Sequence, residues 1–201
     1  SIIMRNIIGI VNYGVAGNIH SVKKAIEKAG GSALVINSPL EFDLVDKLVI
    51  PGVGSFRDAM KELEGCGFIS SIRKFDKPIL GICLGMQILG YLGFEFGKTK
   101  GLGLIDAEVK PMLCDGKIPH MGFNKISVKT FNALLNGIED EEFYFMHSYE
   151  MVNYTDIIAL TRYKKHSFVS VIHRENLYGV QFHPEKSREA GIRLLSNFIK
   201  L

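Results

Sequence analysis

Residues 78–82, Pro-Ile-Leu-Gly-Ile, form a run without a polar side chain. A strand with one wet face would alternate apolar and polar residues, whereas one covered on both faces does not. Ile7–Val11 and Ala33–Ile36 have the same character, as does Lys47–Ile50 after its first residue. Helical spacing fills the intervals. Val22, Ala25, Ile26 and Ala29 end at Gly30-Gly31; Ala59 and Leu63 end at Gly65; Phe68, Ile69, Ile72 and Phe75 form a third set. Ser38-Pro39-Leu40-Glu41 reads as a capping box with Pro at the first helical position. Alternation of this kind predicts an α/β fold: a mainly parallel central sheet flanked by helices, with right-handed crossovers.

After Gly101 the texture changes. Residues 104–110, 123–130, 142–146, 157–163 and 168–182 read as strands joined by short turns, which adds antiparallel strands in the second half. Phe168–His173 and Leu177–Phe182 are expected to pair as a hairpin around Arg174-Glu175-Asn176. An amphipathic helix carrying Ala190, Leu194, Leu195, Phe198 and Ile199 closes the chain. With 201 residues and no repeat or linker, 1–201 reads as a single domain whose second half extends the sheet. The net charge of +3 is scattered, which argues against nucleic acid as a partner. No apolar run reaches the length of a membrane span, and SIIMRNIIGI has no signal-peptide pattern. The three cysteines, Cys66, Cys83 and Cys114, lack metal-ligand spacing and are odd in number. They argue against a disulfide framework or a zinc site and fit a reducing, cytoplasmic setting. Cys66 and Cys114 are expected to be small buried hydrophobes.

Cys83 stands apart. Gly81-Ile82-Cys83-Leu84-Gly85 joins the apolar strand to an expected helix, Met86 to Gly93. Small residues two positions either side of a nucleophile make a nucleophile elbow, with Cys here in place of Ser. Such a turn lifts the side chain above the C-terminal edge of the sheet, where ligands bind. A helix start there favours negative charge on sulfur, and the N–H of Leu84 can hold an oxyanion. A thiol nucleophile wants a base, and the base an orienting group. His183 follows Gly179-Val180-Gln181-Phe182, just where an apolar strand stops, and Pro184 blocks continuation of the strand ladder. Glu185, two residues on, would share a side with His183 in extended chain and could fix its tautomer.

Taken together, PGVG at 51–54, GICLGMQ at 81–87 and QFHPEKS at 181–187 resemble the class I, triad-type glutamine amidotransferases. PHMGFN at 119–124 makes the chain similar to the glutaminase subunits of imidazole glycerol phosphate synthases, and the resemblance runs over the whole chain. It implies a flavodoxin-like fold and a glutaminase that needs no cofactor or metal. By similarity, Cys83 attacks the carboxamide of L-glutamine, His183 moves the proton and Glu185 orients His183. Gly52, Val53 and Gly54 would join Leu84 in the oxyanion hole. Gln87, Glu95 and the backbone of Ser148-Tyr149 would surround the substrate. His147 would be structural or interfacial. The partner implied is a (β/α)8-barrel cyclase that receives ammonia, with Asn12 and the rest of the 12–18 turn, His120, Met121, Phe123, Asn124 and Lys186 at its face.

Two departures touch that face. Phe123 stands where Trp is expected, and the turn from Asn12 to Asn18 is one residue longer than usual and starts with Asn rather than Asp. They keep open a paralogous glutaminase feeding another synthase, such as one that amidates a surface sugar. A silent binding module on the same fold would not need Cys83, His183 and Glu185. Gly9, Gly14 and Gly17 do not compose G-x-G-x-x-G, so dinucleotide binding is not supported.

Overall fold

A computed structural model describes residues 6–14 and 16–201. Residues 1–5, which open the segment read for a leader, and Val15 of the 12–18 turn lie outside the described residues.

The first half builds four parallel strands, β1 (Ile7–Val11), β2 (Ser32–Ile36), β3 (Lys47–Ile50) and β4 (Ile79–Ile82). Between them run α1 (Ala16–Lys28), α2 (Phe56–Gly65) and α3 (Phe68–Lys74). The helix after β4 is α4 (Leu84–Gln87), and α5 (Arg188–Ile199) ends the chain. The second half contributes β5 (Leu92–Gly93), β6 (Thr99–Lys100), β7 (Glu108–Pro111), β8 (His120–Lys125) and β9 (Ser127–Val128). It continues with β10 (Glu142–His147), β11 (Tyr149–Val152), β12 (Ile157–Tyr163), β13 (His166–Arg174) and β14 (Leu177–Val180).

The central sheet has the order β2-β1-β3-β4-β14-β13-β12-β9. Its first five strands are parallel, the order of a flavodoxin-like doubly wound sheet. Its last three are antiparallel. Both faces are covered. Ile8, Ile10 and Leu80 pack with Val22 and Ile26 of α1 and Leu194 and Phe198 of α5. Leu48, Ile50 and Ile79 pack with Leu63 of α2 and Phe68 and Ile72 of α3. The apolar runs of the sequence are the outcome of that double burial. Among the described residues no helix is long and apolar enough to cross a membrane.

The expected hairpin is β13 with β14, and its turn is Glu175-Asn176 alone, since Arg174 still pairs with Leu177. Other expectations need correction. Strand β14 stops at Val180 because the chain then leaves the sheet, the His183 N–H donating to the carbonyl of Tyr144 at 2.9 Å. The run 123–130 begins earlier, at His120, and splits: β8 pairs with β10, while β9 joins β12. Only 108–110 of the run 104–110 is strand, because the N–H groups of Leu104 and Ile105 turn back to the carbonyl of Leu89. The second half therefore extends the central sheet only in part. Two smaller sheets, β10-β8 and β11-β7-β5-β6, stand apart from it.

The helix expected over Met86–Gly93 is one turn long. At Gly90 the chain runs too close to the carbonyl of Ala107 for a side chain, and the Tyr91 N–H donates to that carbonyl at 3.0 Å. Helix propagation ends there, so the long helix whose dipole was expected to act on Cys83 is reduced to a single turn. Ser38 caps a 3-10 turn, Pro39–Leu44, but its hydroxyl takes the Leu40 N–H, and Glu41 reaches Asn37 instead of closing the box. Cys66 is exposed at the C-terminal cap of α2 and Cys114 is half-buried, so neither is the buried hydrophobe expected; all three cysteines are free.

Gly85 shows why the elbow wants small residues. A Cβ there would sit 1.8 Å from the carbonyl oxygen of Ile50, and one at Gly81 would sit 2.5 Å from the carbonyl oxygen of Gly85. Backbone cannot yield as a flexible side chain can, so Gly85→Ala is expected to cost about 3 kcal/mol of stability. Urea unfolding measures it, and an unchanged midpoint would contradict the close approach of β3 to the elbow.

Candidate active site

Cys83 is the first residue beyond β4, with φ 54° and ψ −111°. For a residue with a Cβ this backbone is strained by roughly 1–3 kcal/mol. Bonds on both sides hold it: its N–H donates to Val180 at 2.8 Å, and its carbonyl accepts from Met86 and Gln87 at 3.1 and 3.2 Å. The sulfur lies 3.8 Å from the carbonyl of Met146 and 3.6 Å from Nε2 of Gln181.

His183 and Glu185 lie together with both side chains fully buried, Nδ1 and Oε1 2.8 Å apart. A carboxylate only accepts, so Nδ1 carries the proton and a neutral ring keeps Nε2 free to take another. His183 Nε2 has no hydrogen-bond partner among the described residues. Burial works to lower the basicity of His183, but the Cys83 sulfur and the Glu185 carboxylate outweigh it and raise the ring well above the ordinary histidine value. Ser187 braces the assembly, donating to the carbonyl of His183 at 2.6 Å and accepting the Tyr144 N–H at 2.9 Å. Glu185 sits in a 3-10 turn, Pro184–Lys186, not in extended chain. The contact is the one expected, reached by a different local geometry.

A cavity of about 210 Å³ opens over Cys83. Of the residues expected around substrate and oxyanion, all but Gly52 line it: Val53, Gly54, Leu84, Gln87, Glu95, Ser148 and Tyr149. Pockets for drug-sized ligands span about 300–1,000 Å³, so this one suits a small polar molecule. Gly52 lies behind the lining, where a Cβ would sit 2.6 Å from the hydroxyl of Tyr13. Gly54 has φ 107°, a conformation that favours glycine. Glu95 accepts the N–H of Phe56 at 3.2 Å, which ties the pocket to the start of α2.

Residues 11–201 match the class-I glutamine amidotransferase family model. The chain belongs to this family. The imidazole glycerol phosphate synthase subunit HisH of Desulfitobacterium hafniense (strain DSM 10664 / DCB-2) is 45% identical, with 96% of this chain and 93% of that protein covered. Subunit HisH 1 of Campylobacter jejuni (strain RM1221) is 41% identical, with 96% and 100% covered. The solved structure of PurLQS from Thermotoga maritima shares the fold with a TM-score of 0.75 at 18% identity, with 98% and 99% covered.

In this amidotransferase the residues expected at the partner face divide. Met121 is 59% and Phe123 37% exposed, and Lys186 is exposed. Arg188 stacks over the Phe123 ring at 4.4 Å, and Tyr144 meets the same ring edge-on at 5.6 Å. Asn12 is half-buried and bonds Asn37; Asn124 is half-buried and donates to the carbonyl of Arg162. His120 does not belong to an exposed face, being only 3% exposed. Successive residues of a strand point to opposite sides, so an outward Met121 turns His120 inward.

Two buried side chains of the amidotransferase were not singled out in the sequence. Gln181 donates to Cys83 and accepts from Gln87 at 3.0 Å. It lies beyond the end of β14, and its partner Cys83 is 98 positions away in the chain. Tyr13 donates to the carbonyl of Pro51 at 2.5 Å and holds the start of the glycine loop. Burial and the nearby Cys83 raise its ionisation far above the usual range, which keeps the phenol a donor. No sequence pattern announces that contact.

Proposed function

We propose that this chain is the glutaminase subunit of an imidazole glycerol phosphate synthase, hydrolysing L-glutamine to glutamate and ammonia for a cyclase subunit. The observation that carries the reading is Cys83, held at positive φ beneath a small polar cavity, beside a buried His183–Glu185 pair. The sulfur attacks the carboxamide carbon, and His183 takes the thiol proton and delivers one to the departing ammonia. Water, deprotonated by His183, then attacks the γ-glutamyl thioester; glutamate leaves and the thiol regains its proton. The Leu84 N–H and an N–H of the 52–54 loop hold the oxyanion in each step. Glu95 and the backbone of Ser148-Tyr149 hold the amino-acid end of glutamine.

The partner is a (β/α)8-barrel cyclase that consumes the ammonia in forming imidazole glycerol phosphate and AICAR for histidine biosynthesis, in the cytoplasm. Met121, Phe123 and Lys186, outward on one side, support its docking there. The test is glutamine hydrolysis by the chain alone, then with a histidine-pathway cyclase loaded with its aminoimidazole-carboxamide ribonucleotide substrate. Stimulation of at least about a hundredfold is expected, the scale of completing an oxyanion hole. Glutaminase activity that the cyclase leaves unchanged would assign the ammonia to another synthase, in keeping with Phe123 in place of Trp.

A further inference from the structure

His120 lies in the core, and its contacts define a role. Its ring packs against Tyr163, Phe145 and Phe168, with centroids 4.2, 5.1 and 5.4 Å away. Its Nδ1 lies 3.0 Å from Nε2 of His147, and His147 Nδ1 lies 2.9 Å from the carbonyl oxygen of Tyr149. A carbonyl only accepts, so His147 carries its proton on Nδ1. Its Nε2 is then an acceptor, and the proton between the two rings belongs to His120 Nδ1. His120 Nε2 is left to accept from Asn124 Nδ2, 3.5 Å away. Neutral rings are required throughout. Burial lowers His120, and His147 is lowered to about 4, by burial first and by the charges of His120 and His183, against the bond to Tyr149.

The carbonyl of Tyr149 has a second donor, Gln87 Nε2 at 3.1 Å, and the same amide group reaches Oε1 of Gln181. The chain of bonds ends at the sulfur of Cys83. Every proton position in it follows from the acceptor at Tyr149.

We propose that His120 is a positioning residue for the substrate: acting through the single tautomer of His147, it fixes the Tyr149 carbonyl and so the Ser148–Tyr149 backbone at the pocket. This rests on the reading of the cavity as the glutamine site. His120→Phe keeps an aromatic ring and loses the donor, whereas His120→Asn loses the ring and places an amide N–H near the position of Nδ1. Steady-state glutamine hydrolysis by the full chain separates the two roles. His120→Phe is expected to raise KM about tenfold with kcat within about twofold, and His120→Asn to restore most of that loss. The reverse ranking, with Phe harmless and Asn harmful, would reduce His120 to packing and overturn the proposal. Nitrogen-15 NMR of the unmodified chain gives an independent test at pH 6. Neutral rings protonated on Nδ1 are expected at both positions, and a charged His147, or one protonated on Nε2, would also overturn it. A wild-type chain that hydrolyses no glutamine with or without a cyclase would instead sink the glutaminase reading and leave the tautomer test standing.

Discussion

Cys83→Ala is expected to lower glutamine-supported turnover at least about 10⁴-fold, the scale seen when a covalent nucleophile is removed. Synthesis from added ammonium by the complex with the cyclase should continue at close to the wild-type rate. The two halves of the prediction separate chemistry from structure. The sulfur carries the γ-glutamyl group as a thioester between loss of ammonia and attack by water, whereas ammonium reaches the acceptor without it. Alanine is close in size to a side chain only 6% exposed, and it retains the Cβ that the positive φ already accommodates. Loss of the ammonium-supported rate as well would mean that the substitution had disturbed docking or fold. Retention of glutamine hydrolysis would remove Cys83 from the mechanism.

Much of this site was legible because its signals are local. Residues 78–82 declare a strand covered on both faces, and Gly81 and Gly85 declare a turn with no room for side chains. Both statements concern a chain and its immediate neighbours. His183, Pro184 and Glu185 are adjacent, so their grouping required no knowledge of the fold. What stayed hidden depends on contacts far apart in sequence. Gln181 meets Cys83 across 98 positions, and Tyr13 meets Pro51 across 38. Neither has a periodicity that would point to its partner. The misplacement of His120 has another cause. Placing both His120 and Met121 outward contradicts strand alternation, and their places follow only once 120–125 is known to be a strand. The split of 123–130 is similar, since β8 and β9 serve different sheets and nothing in their composition separates them.

The second large effect belongs to Glu185. Glu185→Gln is expected to reduce kcat about 10³–10⁴-fold, the cost of an orienting carboxylate replaced by its amide in serine proteases. KM should change by no more than a few-fold, because Glu185 does not line the pocket. The carboxylate accepts and cannot donate, so it permits only the His183 tautomer that leaves Nε2 open toward Cys83. Glutamine can present either its oxygen or its NH₂ group, and it carries no charge for the imidazolium that forms as the thiol proton is taken. The sign of the pH effect follows from the same pair. Burial lowers His183, while Cys83 and Glu185 together raise it above the ordinary value near 6.5. A raised histidine contributes stability that is fully present below its unfolded value and is lost as pH rises through its folded value. Removing the Glu185 charge should therefore destabilise the variant most near pH 6 and progressively less in alkaline solution. Urea midpoints of wild type and variant across pH 6–10 measure that difference. A gap that widened with pH, or a variant within tenfold of wild-type kcat, would mean that Glu185 neither sets the tautomer nor carries the charge opposite His183.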